Sequence, residues 1–179
     1  PLDSEHYSLF EYFNSNEPTN LKNIIITASG GPFYKKKFNN LKNISFKKAI
    51  KHPKWKMGYK NSIDSATLVN KCLEVVEAHY LFNIPYDKIK VLIHPQALVH
   101  SIVEKVNYTS TFNLFKNDMS IPIFNFLNLS NKKITSVDNK FYIPKYSLLE
   151  FHEVKKDIFP LYNYFQNLDK SNPSNIIKF

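Results

Sequence analysis

Residues 24–32 read Ile-Ile-Ile-Thr-Ala-Ser-Gly-Gly-Pro. Three β-branched apolar residues in a row, with no polar residue alternating between them, describe a strand buried on both faces. Ser29-Gly30-Gly31-Pro32 ends it, because glycine takes backbone conformations that side chains resist and proline cannot donate to a ladder. A tight turn at the end of a buried strand is therefore expected. The sequence holds only 3 glycines. Two stand in this turn, and Gly58 precedes the longest helical pattern in the chain.

That pattern covers residues 65–82, where Val69, Leu73, Val76 and Tyr80 recur at spacings of three and four and define an apolar face. Pro85 closes it. Downstream, residues 90–94, 98–104 and 110–115 read as strands, with Asn107-Tyr108-Thr109 as a hairpin turn between the last two. A helix over residues 5–13 and the polar loop 14–20 lead into the buried strand. Ser45 is placed to cap a short helix over 45–50, Pro122 is compatible with the first turn of a helix over 120–129, and a further helix is expected near 160–165. The expected fold is mixed α/β of the α+β kind. It has a sheet of about four strands, helices over one face, and the other face open for dimerisation.

The composition removes several function classes. A net charge of +9 invites a nucleic-acid reading, but the lysines are dispersed and only Lys35-Lys36-Lys37 forms a run. The paired aromatic stacking pattern of RNA-binding modules is missing as well. An anionic substrate accounts for a positive field equally well, so neither nucleic acid nor a membrane is expected as a partner. Cys72 is the single cysteine, which excludes an internal disulfide and a thiolate zinc site.

Four groups of residues carry candidate chemistry. Asp3 and Glu5, two residues apart, suit a hard divalent cation, although an Asp-x-Glu at a helix start also complements the helix dipole. On the helix after Asp64-Ser65-Ala66-Thr67, Asn70, Lys71 and Glu74 face one way and can hold phosphate and metal side by side. The plainer reading of Lys71 and Glu74 is a solvated surface pair. The glycines at 30, 31 and 58 admit close approach of backbone to a ligand or simple turns. The only tryptophan, Trp55, lies in the irregular segment His52-Pro53-Lys54-Trp55-Lys56-Met57-Gly58, which suits either a lid or a ring folded back on the core.

Taken in order, these segments resemble the 1-deoxy-D-xylulose 5-phosphate reductoisomerase family. The likeness rests on Pro-Leu-Asp-Ser-Glu-His at 1–6, Thr-Ala-Ser-Gly-Gly-Pro-Phe at 27–33, His-Pro-Lys-Trp-Lys-Met-Gly at 52–58, Asp-Ser-Ala-Thr at 64–67 and Asn70-Lys71. It continues through Leu73-Glu74, Glu77-Ala78, Leu92-Ile93-His94-Pro95-Gln96, His100-Ser101 and Asp118-Met119, and weakens after about residue 129. The resemblance implies Asp3, Glu5 and Glu74 as ligands of Mg²⁺ or Mn²⁺. It implies Ser29, Ser65, Asn70 and Lys71 around a substrate phosphate with His52 beside them, and Ser4 on the substrate near the metal. Trp55 is implied as the lid residue, Met57, Gly58 and Met119 as neighbours of NADPH, and His100 as a residue in or just behind the site. The implied partners are a phosphorylated sugar substrate and a second copy of the chain. The implied compartment is the cytoplasm of a bacterium or the plastid stroma or apicoplast of a eukaryote.

The same resemblance implies a division of the polypeptide. Residues 1–129 form the catalytic metal- and phosphate-binding domain, with a lid over about 35–59, and 130–179 connect toward a C-terminal helical domain. The family's N-terminal NADPH-binding domain and the C-terminal helical domain itself are expected outside this chain, which alone is expected to be inactive. Two positions depart from the family pattern: Asn61, where an aliphatic residue near the nicotinamide is usual, and Cys72, often Gly. A degenerate, non-catalytic homologue is the alternative that the intact Asp3, Glu5 and Glu74 argue against.

Overall fold

In β1 (Leu21–Ala28) every residue from Asn23 to Ala28 is buried, as its unbroken apolar run requires. This computed structural model describes residues 1–16, 19–36, 44–51, 58–128 and 148–179. β1 lies at the centre of a five-stranded sheet. Its neighbours are β2 (Ile89–Ile93), which is parallel to it, and β3 (Val99–Lys105), which is antiparallel. β4 (Ser110–Leu114) pairs with β3 and forms one edge. The expected hairpin turn is present: Lys105 N–H donates to the Thr109 carbonyl at 2.9 Å, and Tyr108 takes a φ of 64°. The other edge is β5 (His152–Glu153), antiparallel to β2. Two residues are too few to give a periodic signal, so about four strands are legible where the described residues form five.

α1 (Ser4–Ser15) starts at Asp3, whose Oδ1 accepts from the backbone N–H groups of Glu5 and His6. Leu9 and Tyr12 of this helix enter the core, while Ser8 and Ser101 join α1 to β3 through a 2.6 Å hydroxyl contact. α2 (Phe46–Ala49) begins after Ser45, which holds the cap position without a side-chain capping bond.

The long helix expected over 65–82 is two helices. α3 (Tyr59–Thr67) ends at Leu68, which takes a left-handed φ of 60°, and α4 (Val69–Phe82) starts there. Ser65 thus belongs to the helix before the break. The buried side of α4 also differs from expectation. Leu73 and Tyr80 are exposed, and Cys72, Val75 and Ala78 pack into the core instead. Apolar residues lie on every side of Val-Asn-Lys-Cys-Leu-Glu-Val-Val-Glu-Ala, so periodicity alone selects no face.

One core joins α1, α4 and the inward side of the sheet, where Ile24, Ile26, Ile89, Val91 and Ile93 meet them. α6 (Pro160–Asn167) closes it with Tyr162 and Phe165, helped by Phe159 just before the helix. The described part of the segment read as a connection therefore contributes a strand and a fully buried aromatic pair to this same unit. The outer sheet face is not bare: Ile25, Val99 and Ile102 cluster there with Leu92 and Phe151. α5 (Ser120–Asn128) follows β4, and α7 (Pro173–Lys178) ends the chain. Among the described residues no helix is long and apolar enough to cross a membrane.

Candidate metal and phosphate site

The C-terminal end of β1, the first turn of α1, the α3–α4 junction and the start of β3 surround a cavity of about 400 Å³. Asp3, Glu5 and Glu74 sit in its wall, each offering a carboxylate oxygen within 4.8 Å of the others. Capping puts Asp3 there: the turn that lets it bond to the first N–H groups of α1 also aims it beside Glu5. Glu74 arrives from α4, which is tied to α1 through His6. Nε2 of this buried histidine donates to the Glu74 carbonyl at 3.0 Å, while Nδ1 lies 3.3 Å from Glu77 and 3.7 Å from Asp3.

Lys71 closes the cluster. Its Nζ donates to Glu5 Oε1 at 2.6 Å and to Glu74 Oε2 at 2.7 Å. Asn70 donates to the other oxygen of Glu74 at 2.6 Å, and the Ser4 hydroxyl bonds to Glu5. The plainer reading of Lys71 and Glu74 as a solvated pair does not hold, since their side chains are only 6% and 5% exposed.

Among the described residues one ammonium serves three carboxylates, and their proton affinities record it. Burial, then Glu5, holds the Asp3 carboxyl up at about 6. Burial pushes Glu5 the same way, but Lys71 and His100 outweigh it and bring Glu5 down to about 2. Glu74 stays well above the usual carboxylate range because burial prevails over its bond to Lys71. Burial opposes the charge on Lys71, yet Glu5, Glu74 and Asp3 together hold it above its ordinary value. A buried set of hard oxygen donors short of positive charge fits a divalent cation of the magnesium or manganese type.

The turn after β1 brings Ser29 to the cavity through left-handed glycines, with φ of 82° at Gly30 and 57° at Gly31. A Cβ at Gly31 would stand 3.0 Å from the Ser65 carbonyl oxygen, so this glycine lets the turn lie against α3 beside Ser65. In the same lining, the buried His100 ring stacks on Phe115, and burial lowers its proton affinity. Among the described residues, His100 Nε2 and Asn117 Oδ1 are buried without a hydrogen-bond partner.

Residues 1–82 match the family described as 1-deoxy-D-xylulose 5-phosphate reductoisomerase C-terminal domain. Over 163 residues the chain is 45% identical to a 1-deoxy-D-xylulose 5-phosphate reductoisomerase of Lawsonia intracellularis, covering 91% of this chain and 40% of that protein. Over 136 residues it is 51% identical to the one of Clostridium novyi, covering 75% of this chain and 35% of that protein. The chain belongs to the 1-deoxy-D-xylulose 5-phosphate reductoisomerase family. It spans less than half the length of these relatives.

Solved members of the family share the architecture. A DOX-P reductoisomerase in complex with NADPH, fosmidomycin and magnesium superposes with a TM-score of 0.80 at 34% identity, over 93% of this chain and 43% of that one. The Zymomonas mobilis enzyme in complex with NADPH gives 0.81 at 34% identity, over 96% and 44%.

Of the residues that the family resemblance implies, Asp3, Ser4, Glu5, Ser29, Ser65, Asn70, Lys71, Glu74, His100 and Met119 all line the one cavity. Gly58 is exposed at the start of α3 and is not part of that lining. His52, Trp55 and Met57, with most of the expected lid over 35–59, lie outside the described residues. Sequence reasoning missed Asn117, although it directly precedes the Asp118-Met119 pair, and His6, whose tie between α1 and α4 only the fold reveals. Asn61, noted as a departure, does line the cavity.

Proposed function

We propose that this chain provides the metal- and phosphate-binding part of a reductoisomerase that converts 1-deoxy-D-xylulose 5-phosphate to 2-C-methyl-D-erythritol 4-phosphate. The observation that carries this reading is the convergence of Asp3, Glu5 and Glu74 in a cavity whose other lining includes Ser29, Ser65, Asn70 and Lys71. Mg²⁺ or Mn²⁺ bound by the three carboxylates supplies Lewis acidity for rearrangement of the carbon skeleton, and NADPH supplies the hydride. The chain's own groups bind and orient. Ser29, Ser65, Asn70 and Lys71 hold the phosphate with His52 beside them, which contributes binding energy away from the reacting carbons. Ser4 contacts the substrate near the metal, and His100 offers its unpartnered Nε2 to the substrate. Trp55 covers the substrate and excludes water, while Met57, Gly58 and Met119 meet the nicotinamide.

A homodimer belongs to the same reading. It is supported by β4, an edge strand that exposes Phe112 and Leu114. Sedimentation at micromolar concentration is expected to show two copies, and a monomer there overturns this part.

Calorimetric titration tests the metal site. Mn²⁺ added to the metal-stripped chain is expected to bind at one site, and Asp3→Asn or Glu74→Gln is expected to weaken it on the order of tenfold or more. Tight binding unaffected by either change would place the ion elsewhere and refute the assignment.

A further inference from the structure

Lys71 stands where the proposed metal and phosphate functions meet. Its ammonium lies 2.6 Å from Glu5 and 2.7 Å from Glu74, so its protons point at carboxylate lone pairs that an ion held by these residues would use. A cation of the magnesium type ligates oxygen at about 2.0–2.1 Å, which puts it within contact range of an ammonium on the same oxygens. Two cations so close in a buried site repel strongly. An ion taken up through Glu5 Oε1 and Glu74 Oε2 therefore excludes retention of both lysine contacts.

The departing ammonium has a destination. Lys71 carries its charge on a flexible four-carbon stem, and the same cavity includes the hydroxyls of Ser29 and Ser65 and the amide of Asn70. Asn70 is coupled to the same event, because its amide donates to Glu74 at 2.6 Å and must yield any Glu74 oxygen that takes a metal.

We propose that Lys71 is a built-in stand-in for the metal: its ammonium closes the carboxylate site when no divalent ion is present. When an ion binds, the ammonium is released toward the anion side of the cavity. Metal binding thereby creates part of the phosphate site, and phosphate draws away the group that blocks the metal. This rests on the reading of Asp3, Glu5 and Glu74 as metal ligands. Its consequence is a coupling free energy, which linkage makes reciprocal. Phosphate tightens the metal by the same factor that the metal tightens phosphate.

Two measurements on the unaltered chain read this directly. First, Mn²⁺ is titrated into the metal-stripped chain with and without inorganic phosphate, with correction for the manganese–phosphate complex in solution. Phosphate is expected to tighten Mn²⁺ on the order of tenfold. Second, the Lys71 ammonium is followed by ¹⁵N NMR, and stoichiometric Mg²⁺ is expected to shift or abolish its signal. An unchanged Mn²⁺ affinity with phosphate, or a Lys71 signal unmoved by bound Mg²⁺, overturns the proposal.

Lys71→Met keeps the stem and removes the charge, and separates this effect from direct bridging of metal and phosphate. The variant is expected to bind Mn²⁺ more tightly than the unaltered chain without phosphate, and to lose the coupling. Coupling that persists in Lys71→Met, or weaker Mn²⁺ binding by it, refutes the stand-in role. If Lys71→Met does not fold, the two measurements on the unaltered chain decide. Failure of the unaltered chain to bind Mn²⁺ at all would instead defeat the proposed function, and this inference with it.

Discussion

The Asp3 carboxylate caps α1 through Oδ1 and stands within reach of Glu5 and Glu74. The helix start is present, and the proposed metal reading fits the same geometry, because the cap aims the Asp3 carboxylate at Glu5 and Glu74. The helix start was legible in six residues of sequence. The burial of Lys71 and Glu74 was not, because it depends on which side of α4 meets α1, and a helix with apolar residues all round does not declare a side. The pH dependence follows from the shifts. Asp3 has a folded value of about 6 against an ordinary 3.8. Without metal the folded chain therefore holds an extra proton between those values, and the stability that proton brings is lost as pH rises through 6. Glu5, drawn down to about 2 from 4.5, acts in the opposite sense: its contribution is full above 4.5 and is lost as pH falls through 2. A metal ion must displace the Asp3 proton. Mn²⁺ affinity is thus expected to fall as pH falls, by about tenfold per pH unit below 6 from the Asp3 proton, with a further loss from Glu74, whose carboxyl is also held above the usual range. Calorimetry in buffers of different ionisation enthalpy counts the protons released; none released at pH 5 would contradict the assignment.

At the scale of elements, the site depends on two backbone breaks. Leu68 takes a left-handed φ of 60° with its side chain 2% exposed, and the redirected chain places Asn70, Lys71 and Glu74 at the start of α4 rather than in the middle of one long helix. Nothing local announces this, since leucine does not favour that conformation and only core packing holds it there. The second break was legible. The Gly-Gly pair after β1 marked a turn, and the structure shows the need: a Cβ at Gly31 would meet the Ser65 carbonyl oxygen at 3.0 Å and the Ala66 Cα at 3.1 Å, at a φ of 57°. Backbone cannot move aside as a flexible side chain does. Gly31→Ala is therefore expected to destabilise the chain by about 1–3 kcal/mol, through strain at positive φ and displacement of α3. Ser65 moves with α3 while Asp3 and Glu5 stay on α1, so phosphate affinity is expected to drop more than Mn²⁺ affinity. Urea denaturation and paired titrations of the two ligands check this, and equal losses for both would show that the turn does not position the phosphate side.

Across the whole molecule, the central strand, the hairpin and the helix-covered face were legible because each has its own periodic or turn signal. The two-residue β5 and the contribution of Phe159 and Phe165 were not, since four aromatics crowd residues 159–165 and only the core they meet selects which of them are buried. This organisation bears on what the chain can do by itself. A dinucleotide pyrophosphate needs a glycine-rich turn between a strand and a helix N-terminus, where the missing side chains let the cofactor approach the backbone. The one glycine pair that follows a strand here is already used by the protein. A Cβ at Gly30 would lie 2.8 Å from both Ile93 and Tyr34, and one at Gly31 would press on α3, so the space those glycines open is filled by the chain itself. Gly58, at the start of α3, stands alone. The groups proposed for metal and phosphate, by contrast, line one cavity among the described residues, His52 apart. The expected behaviour of this chain alone is therefore divided: Mn²⁺ and inorganic phosphate bind, the latter weakly. NADPH at micromolar concentration leaves no binding heat, and 1-deoxy-D-xylulose 5-phosphate with Mg²⁺ causes no loss of NADPH absorbance. Steady NADPH oxidation by this chain alone would show that its own residues seat the cofactor, and would refute the division. Absence of metal and phosphate binding together with absence of turnover would refute the assignment of the cavity instead.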